Sequence, residues 1–228
     1  MTEAVDSVRA DFDRIAQFST DEWSHNSHYH AFLLKQLPAH INDALEIGCG
    51  TGLFSRQLAQ RAQHVLALDL SPEMIRLAKQ RAQAYRHIDF EVADILHREL
   101  PPAHFDCIAS IATLHHLPLA EILAKAAQAL KPGGTLLVLD LYHEALNMAN
   151  LAPNAAAVVV NAYYKLVKTG RLKDSPEAQA AWEAHGQHDV YPTLAEVRRV
   201  SAAVLPGAQV RVHLLWRYSL VWTKPLSR

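Results

Sequence analysis

Residues 44–54 read Ala44-Leu45-Glu46-Ile47-Gly48-Cys49-Gly50-Thr51-Gly52-Leu53-Phe54, and this stretch is the strongest indication of the fold in the sequence. Its apolar start is typical of a buried parallel strand, and its end begins the apolar face of a helix. Three glycines at alternate positions join the two elements, permit positive φ angles and let a ligand approach the backbone closely. A dinucleotide-binding turn would place its third glycine where this chain has Leu53, so a nicotinamide cofactor is the weaker interpretation.

A second predicted strand ends in a carboxylate. The run His64-Val65-Leu66-Ala67-Leu68-Asp69 predicts this strand, and Asp69 follows Gly48 by 21 residues. A carboxylate at that point can accept hydrogen bonds from both hydroxyls of a ribose. Ser71 and Pro72 then supply an N-cap and a first helical residue, so two strand–helix units stand in series.

Four segments of the chain resemble the class I S-adenosylmethionine-dependent methyltransferases. They are residues 46–52, 69–74, 92–95 and 130–135, and the resemblance spans roughly residues 40–142. It implies an α/β fold with a Rossmann-like, doubly wound, seven-stranded and mostly parallel sheet whose C-terminal strand is antiparallel. It also implies S-adenosylmethionine as the cofactor and methyl transfer as the reaction.

The resemblance further implies which residues hold the cofactor. The glycines would lie under its methionine part with Glu46 below them, and Asp69 would hold the ribose. Leu70 and Met74 would flank the adenine, and Asp94 would meet its edge. With two aromatic candidates from the N-terminal segment, the expected set is Trp23, Tyr29, Glu46, Gly48, Cys49, Gly50, Gly52, Asp69, Leu70, Met74, Ala93, Asp94, Ile95, Ser110 and Ile111.

The rest of the chain continues the alternation of strands and helices. A helix over residues 118–130 ends in Lys131-Pro132-Gly133-Gly134, a pattern typical of a helix end. Thr193-Leu194-Ala195-Glu196 is a capping box that begins a helix to about Ala203. Further strands are predicted over residues 87–92, 105–111, 135–141, 208–214 and 217–223.

Two segments lie outside the alternating strands and helices, although we expect residues 1–228 to form a single domain. Residues 1–38 form a helical leader, and residues 143–192 form an insertion with helix signals over 154–170 and 175–186. A bare connection takes about 2–6 residues, so the insertion is long enough to form a lid. Because ligands of doubly wound sheets bind at the carboxyl ends of the strands, we expect both segments to cover that edge.

Composition limits the partners and the compartment. Lys plus Arg total 22 against 23 Asp plus Glu, and a net charge of -1 gives no long-range attraction to nucleic acid or to an anionic membrane. The sequence shows neither a signal peptide nor the ~20 apolar residues of a membrane span, so we expect a cytoplasmic protein. Its two cysteines, Cys49 and Cys107, are interpreted as packed thiols. The oligomeric state is not predicted.

Histidines are the candidates for removing a proton from the methyl acceptor, because an imidazole titrates at about pH 6.5. His115 and His116 follow the fourth strand and His143 follows the fifth, so all three are expected at the edge where the methyl group is presented. His115 and His116 could instead cap and pack their loop, and His143 could lie in a solvated loop. The segment His188-Asp189-Val190-Tyr191 could supply an oriented base, or it could form a polar turn.

No metal site is predicted. His25, His28 and His30 are close in sequence. On a helix, however, His28 and His30 would point to different sides, and no cysteine joins the group. We therefore expect a mechanism without a metal ion.

The expected acceptor is a small molecule. Two alternatives stay open, namely a cofactor-binding regulator or subunit without turnover and a methyltransferase of tRNA or protein. By family resemblance, an enzyme that flips adenine would carry Asn/Asp-Pro-Pro-aromatic after the fourth strand, and this chain has Ser110-Ile111-Ala112-Thr113. Its basic residues also form no stripe, which disfavours nucleic acid.

Overall fold

The computed structural model of the chain describes residues 2–20, 23–143, 151–170, 175–187 and 189–226. Its helices are α1 (Thr2–Ala16), α2 (His30–Leu34), α3 (Leu53–Leu58), α4 (Pro72–Arg81), α5 (Leu119–Ala129), α6 (Leu151–Thr169), α7 (Pro176–Gly186) and α8 (Leu194–Val204). Its strands are β1 (Ile41–Ile47), β2 (Ala62–Asp69), β3 (Ile88–Val92), β4 (Phe105–Ile111), β5 (Leu130–Leu141), β6 (Gln209–His213) and β7 (Arg217–Thr223). Short 3₁₀ turns lie at Ser27–Tyr29 and Leu114–His116.

The strands form one seven-stranded sheet in the order β3-β2-β1-β4-β5-β7-β6. Strands β1 to β5 pair in parallel, and β7 runs antiparallel to both β5 and β6. The predicted doubly wound, mostly parallel sheet with an antiparallel C-terminal strand is therefore confirmed. Because the chain winds outward from β1 to β3 and then returns to β4 on the other side, a crevice opens between the carboxyl ends of β1 and β4.

Helices cover both faces of the sheet because its central strands are apolar on both sides. One face packs on α2, α3 and α4 through residues such as Leu33, Phe54 and Ile75. The other face packs on α5 and α8, where Val197 is fully buried. Residues 136–139 of β5 are each exposed by 1% or less, and burying one such side chain contributes about 1.5–3 kcal/mol. This packing holds the edge of the crevice in a fixed position.

The start of β5 differs from the prediction. The strand begins at Leu130, directly after α5, whereas the sequence predicted a helix to residue 130 and a strand from residue 135. The cause lies far along the chain, since Gly133 N donates to Lys224 O at 2.8 Å and Lys224 N donates to Gly134 O at 2.9 Å. These bonds extend the sheet over the segment.

The end of α3 differs as well. The helix stops at Leu58, although in the sequence the apolar helical period of Phe54 and Leu58 continues to Ala62, and Ala62 begins β2 opposite Ile41. The bond from Ile41 N to Arg61 O at 3.0 Å joins the two strand starts. Pairing with β1 thus overrides the helical period of this segment.

The leader and the insertion meet above the edge where the parallel strands end. Helix α1 lies against α4 and α7, and Ile15 shares a buried cluster with Met74 and Ala181. Helix α6 also reaches the leader, since His25 Nε2 and Asn161 Oδ1 lie 2.6 Å apart. In the part of the chain that the structure describes, no helix is both long enough and apolar enough to cross a membrane.

Candidate active site

A cavity of about 840 Å³ opens at the carboxyl ends of the central strands. Its floor is formed by the ends of β1, β2 and β4, including Ile47, Asp69 and Ile111. Its walls come from α1, α6 and α7 together with residues 23–26 of the leader. Small-molecule sites typically enclose about 300–1,000 Å³, so the volume suits ligands of that size.

Three glycines shape the turn after β1, and each has a positive φ angle. A Cβ atom on Gly48 would lie 2.0 Å from Thr113 Oγ1, and one on Gly52 would lie 2.9 Å from Phe90 Cε1. Packing inside the protein therefore requires these two glycines. A Cβ atom on Gly50 would meet nothing within 4 Å, and Gly50 lines the cavity. The open space for a ligand thus lies over Gly50.

Asp69 ends β2 on the cavity floor, with 9% of its surface exposed. Its Oδ2 accepts a hydrogen bond from Gly50 N at 2.7 Å, and its Oδ1 accepts one from Ser71 N at 2.9 Å. These bonds tie the carboxylate to the glycine turn and to the start of α4. Burial raises the pKa of Asp69, and the backbone N–H groups oppose that shift. Each oxygen can still accept a further hydrogen bond from a ligand.

Glu46 lies outside the cavity lining, on β1 just before the turn. It is 2% exposed and accepts a hydrogen bond from Ser55 Oγ in α3. Burial raises the pKa of Glu46 to about 8, so the carboxyl is mostly protonated at neutral pH. The structure therefore gives this side chain a contact with α3.

The loops after β2 and β3 contribute apolar residues to the cavity lining. Leu70, Met74 and residues 93–95 all belong to it. Asp94 adds a carboxylate, whose Oδ1 accepts a hydrogen bond from Leu96 N at 2.9 Å and whose Oδ2 lies 2.7 Å from His97 Nδ1. Apolar side chains together with a carboxylate suit a flat ring that carries an N–H donor.

The structure divides the predicted cofactor residues into two groups. Those that line the cavity are Trp23, Gly48, Gly50, Asp69, Leu70, Met74, Ala93, Asp94, Ile95 and Ile111. Tyr29, Glu46, Cys49, Gly52 and Ser110 lie outside its lining. Tyr29 OH donates to Leu214 O at 2.7 Å and Ser110 Oγ donates to Ile47 O at 3.0 Å, so both hydroxyls serve contacts within the protein. Cys49 and Cys107 are buried free thiols.

His115 lines the cavity beyond β4 and is fixed by Asp140 of β5. Its Nδ1 lies 2.6 Å from Asp140 Oδ1, and its backbone N donates to Oδ2 at 3.0 Å. Asp140 is fully buried and accepts another hydrogen bond from Leu141 N at 2.7 Å. Because a carboxylate only accepts hydrogen bonds, His115 Nδ1 carries the ring proton and Nε2 is left as the basic nitrogen.

His116 lies in a neighbouring polar cluster between the loop after β4 and α7. Its Nδ1 is 3.5 Å from Asp189 Oδ1, and His185 Nε2 is 3.6 Å from the same oxygen. Tyr191 OH donates to Asp189 Oδ2 at 2.7 Å. Burial lowers the pKa of His116 to about 4, and a neighbouring imidazole adds to the shift, so the ring is neutral at physiological pH. His188, which belongs to the same predicted motif, lies outside the described residues.

His143 does not reach the cavity lining. It is exposed at the end of β5, where its N donates to Pro192 O at 2.9 Å and it pairs with Thr193 in a single parallel bridge. The strand end was expected to bring it beside the other two histidines. The bridge instead ties it to the start of α8.

Within the described ranges, one group places three possible metal ligands within 4.8 Å of one another, and it consists of His115, His116 and Asp189. His25, His28 and His30 are not in such a group. His28 packs edge-on against Tyr29, and the ring of His30 is buried. The structure thus brings together a different set from the one that the sequence suggested and set aside.

Arg217, at the start of β7, is a cavity residue that the sequence did not reveal. It is 7% exposed, and its Nε donates to Asn26 Oδ1 at 2.7 Å. Its Nη1 donates to the carbonyl oxygens of Leu215 and Trp216 at 3.2 and 3.3 Å. The signal was an arginine at the first position of an otherwise buried strand, which places its charge at the sheet edge.

Two methyltransferases are similar in sequence to most of this chain. A family model described as a methyltransferase domain matches residues 45–138. An uncharacterized methyltransferase of Mycobacterium tuberculosis is 32% identical over 208 residues, which cover 90% of this chain and 98% of that protein. A ubiquinone biosynthesis O-methyltransferase of Xylella fastidiosa is 32% identical over 207 residues, which cover 81% of this chain and 82% of that protein.

Solved structures share the fold at lower identity. The N-methyltransferase NodS of Bradyrhizobium japonicum, in complex with S-adenosylhomocysteine, has a TM-score of 0.61 at 17% identity and covers 97% of this chain and 98% of its own. Phosphoethanolamine N-methyltransferase 1 of Haemonchus contortus has a TM-score of 0.66 at 16% identity, over 97% of this chain and 49% of its own. The strand order, the glycine turn and the relatives above 30% identity agree: the chain belongs to the class I S-adenosylmethionine-dependent methyltransferases.

Proposed function

We propose that this methyltransferase transfers a methyl group to a hydroxyl group of a small molecule. The observation that carries the proposal is the pair of His115 and Asp140, which offers a fixed basic nitrogen in the same cavity as the glycine turn. A hydroxyl acceptor must lose its proton as its oxygen is methylated, and a positioned imidazole takes such protons. The similarity to a ubiquinone biosynthesis O-methyltransferase supports an oxygen acceptor.

The residues around the glycine turn fit S-adenosylmethionine. Gly50 leaves free space above its backbone, and the carboxylate of Asp69 has acceptor capacity for ribose hydroxyls. Leu70 and Met74 would flank the adenine, and Asp94 would accept a hydrogen bond from its amino group. When bound, the cofactor supplies a methyl group that is already electrophilic. The protein then needs only to orient the acceptor, exclude water and take a proton.

His115 would take that proton at Nε2. Asp140 holds the tautomer that leaves Nε2 basic, and it would stabilise the charged ring that forms. His116 suits this role less well, because the pKa of its imidazole is lowered to about 4 and a weak base drives proton transfer poorly. Its Nε2 is also buried, with no hydrogen-bond partner among the described residues.

The walls of the cavity favour a small acceptor over a tRNA or a protein. Helices α1, α6 and α7 all contribute to the lining, so the floor with His115 lies beneath helical cover. A macromolecular substrate would have to insert a single extended group between these helices. We therefore place the acceptor between the leader and the insertion.

A screen of hydroxylated metabolites with isotope-labelled S-adenosylmethionine tests this proposal. We expect at least one phenol or alcohol to be methylated, and His115→Ala should lower kcat about 10²–10⁴-fold while the affinity for S-adenosylhomocysteine stays unchanged. Asp140→Asn should lower kcat by a similar factor, because it favours the wrong tautomer. His143→Ala, an exposed histidine outside the cavity, is the matched control and should leave kcat unchanged. Full activity of His115→Ala, or methylation confined to macromolecules, would contradict the proposal.

A further inference from the structure

Arg217 is a buried cation whose described partners are all neutral. Its Nε and Nη1 donate to an amide oxygen of Asn26 and to two backbone carbonyls. Its Nη2, which carries two N–H donors, has no hydrogen-bond partner among the described residues, and no carboxylate of those residues forms an ion pair with the guanidinium. A charge buried in this way costs free energy unless something pairs with it.

The carboxylate with the largest electrostatic effect on Arg217 is that of Asp140, and it is already hydrogen-bonded to other groups. Asp140 lies on β5 and pairs with Tyr218 of β7, the residue after Arg217. Both of its oxygens accept hydrogen bonds from His115, and one accepts a further bond from Leu141 N. Burial lowers the pKa of Arg217, and the negative charge of Asp140 opposes that shift without cancelling it. The guanidinium can therefore still bind one anion.

The place of Arg217 in the sheet indicates which ligand brings that anion. In the strand order, β7 is separated from β1 by β4 and β5. At about 4.8 Å per strand, three steps put the start of β7 roughly 14 Å across the sheet from the glycine turn. His115 and Asp140 belong to the two strands in between. Arg217 thus lies beyond the proposed base, on the side away from Gly50.

We propose that Arg217 recognises an anionic oxygen group, a carboxylate or a phosphate, on the methyl acceptor. This inference rests on the proposed function, since it assumes that the acceptor binds in this cavity. The two N–H groups of Nη2 would donate to the anion, while Nε and Nη1 keep the side chain in place through Asn26 and the turn at residues 215–216. The acceptor would then extend from its anionic end at β7 to its hydroxyl group at His115.

Binding of small probes to the complex of the full chain with S-adenosylhomocysteine tests the inference separately from catalysis. The probes are benzoate, phenyl phosphate and the neutral benzamide, and the readout is titration calorimetry. We expect one of the anions to bind about 10- to 100-fold more tightly than benzamide, which is the effect of a hydrogen bond to a charged group. The stronger of the two anions identifies the acceptor group as a carboxylate or a phosphate.

Three variants test whether Arg217 causes the preference for an anionic probe. Arg217→Met should abolish it, and Arg217→Lys should keep part of it, because lysine retains the charge but loses the planar fork. Arg211→Gln, an exposed arginine on the neighbouring strand β6, is the control and should bind the probes as the wild type does. Thermal melting and an unchanged affinity for S-adenosylhomocysteine would show that each variant is folded.

The outcomes separate this inference from the proposed function. Equal affinity for benzoate, phenyl phosphate and benzamide, or an anion preference that survives in Arg217→Met, would overturn it. A loss of S-adenosylhomocysteine affinity in a folded Arg217→Met would also overturn it, because the arginine would then serve the cofactor. Methylation of neutral hydroxyl compounds alone would support the proposed function and overturn the inference.

Discussion

At the scale of single residues, Gly50 is the position where a ligand, rather than the protein, requires glycine. The space above it is open, whereas Gly48 and Gly52 are crowded by Thr113 and Phe90. A side chain at position 50 would therefore occupy ligand volume without a clash inside the protein.

Gly50→Val should abolish measurable binding of S-adenosylhomocysteine in calorimetry. Valine at a positive φ angle also costs about 1–2 kcal/mol of stability, so a control for strain is needed. Gly207→Val provides it, since Gly207 has a positive φ angle and open surroundings but lies outside the cavity lining. Both variants should melt earlier than the wild type, and only the first should lose the ligand. Similar affinities in the two variants would contradict this account of the turn.

Glu46 gives the protein a pH-dependent stability. Burial raises its pKa from 4.5 to about 8, so the folded state keeps a proton that the unfolded chain loses within that window. The stabilisation is complete below the unfolded pKa and is lost as the pH rises through the folded pKa. Its slope approaches about 1.4 kcal/mol per pH unit between those values.

Glu46→Gln should remove this slope. Urea unfolding at about pH 5 and about pH 7.5 should show that the variant gains stability relative to the wild type at the higher pH. Glu121→Gln, which changes an exposed glutamate on α5, should follow the wild-type curve. Parallel curves for the wild type and Glu46→Gln would show that the carboxyl is ionised in the folded protein.

The sequence predicted only those site residues that a pattern within one short stretch of the chain identifies. Asp69 and Gly50 are found by their spacing from a strand end, and both line the cavity in the structure. Arg217 and Asp140 depend on which strands become neighbours, and the pairing of β5 with β7 is not written in any local stretch. The same reason explains why His143, at a strand end like His115, lies outside the lining.

At the scale of elements, the leader and the insertion are joined to each other as well as to the sheet. His185 Nδ1 of α7 lies 3.4 Å from Asp11 Oδ2 of α1, and His25 Nε2 of the leader lies 2.6 Å from Asn161 Oδ1 of α6. Trp23 stacks on Tyr164 with their ring centroids 5.7 Å apart. A ligand in the cavity would contact both segments at once.

Hydrogen exchange in α1, α6 and α7 should therefore slow when S-adenosylhomocysteine is added. A lid opens at low cost, so its amides exchange quickly until a ligand holds it closed. Strands β1, β4 and β5 serve as the internal control, because their buried amides should be protected with and without ligand. Identical exchange of the three helices in both states would rule out a lid that closes on the cofactor.

The repeating strand–helix units were predictable because, in each unit, the spacing of apolar residues and the capping residues at the helix ends indicate the same structure. Ser71 caps α4 by accepting from Met74 N, and Thr193 caps α8 by accepting from Glu196 N, as their sequence patterns predicted. The start of β5 was not predictable, because the bonds of Gly133 and Gly134 to Lys224 join segments that are far apart in sequence.

At the scale of the whole molecule, the distribution of charge in the cavity disfavours a catalytic metal ion. His115, His116 and Asp189 are close enough to hold one, but because His115 Nδ1 is bonded to Asp140, the ion would have to take Nε2, the nitrogen that we propose as the base. The guanidinium of Arg217 and the sulfonium of the cofactor would already bring two positive charges to the same cavity.

Methyl transfer should therefore survive dialysis against EDTA. The rate with a labelled donor should be the same before and after chelation, and added Mg²⁺ or Zn²⁺ should not raise it. If chelation abolished transfer and a divalent ion restored it, His115, His116 and Asp189 would be the ligands to substitute, and the role of His115 as a base would be wrong.

Cofactor binding between the glycine turn and Asp69 is tested most directly by calorimetric titration of S-adenosylhomocysteine into the wild type and into Asp69→Ala. We expect one site per chain in the wild type and an affinity about 10- to 100-fold weaker in the variant, since each hydrogen bond to a charged group contributes about 1.5–3 kcal/mol. Equal affinity in the two proteins would contradict the placement of the ribose at the end of β2. Tight binding of NADH with no binding of S-adenosylhomocysteine would contradict the account as a whole.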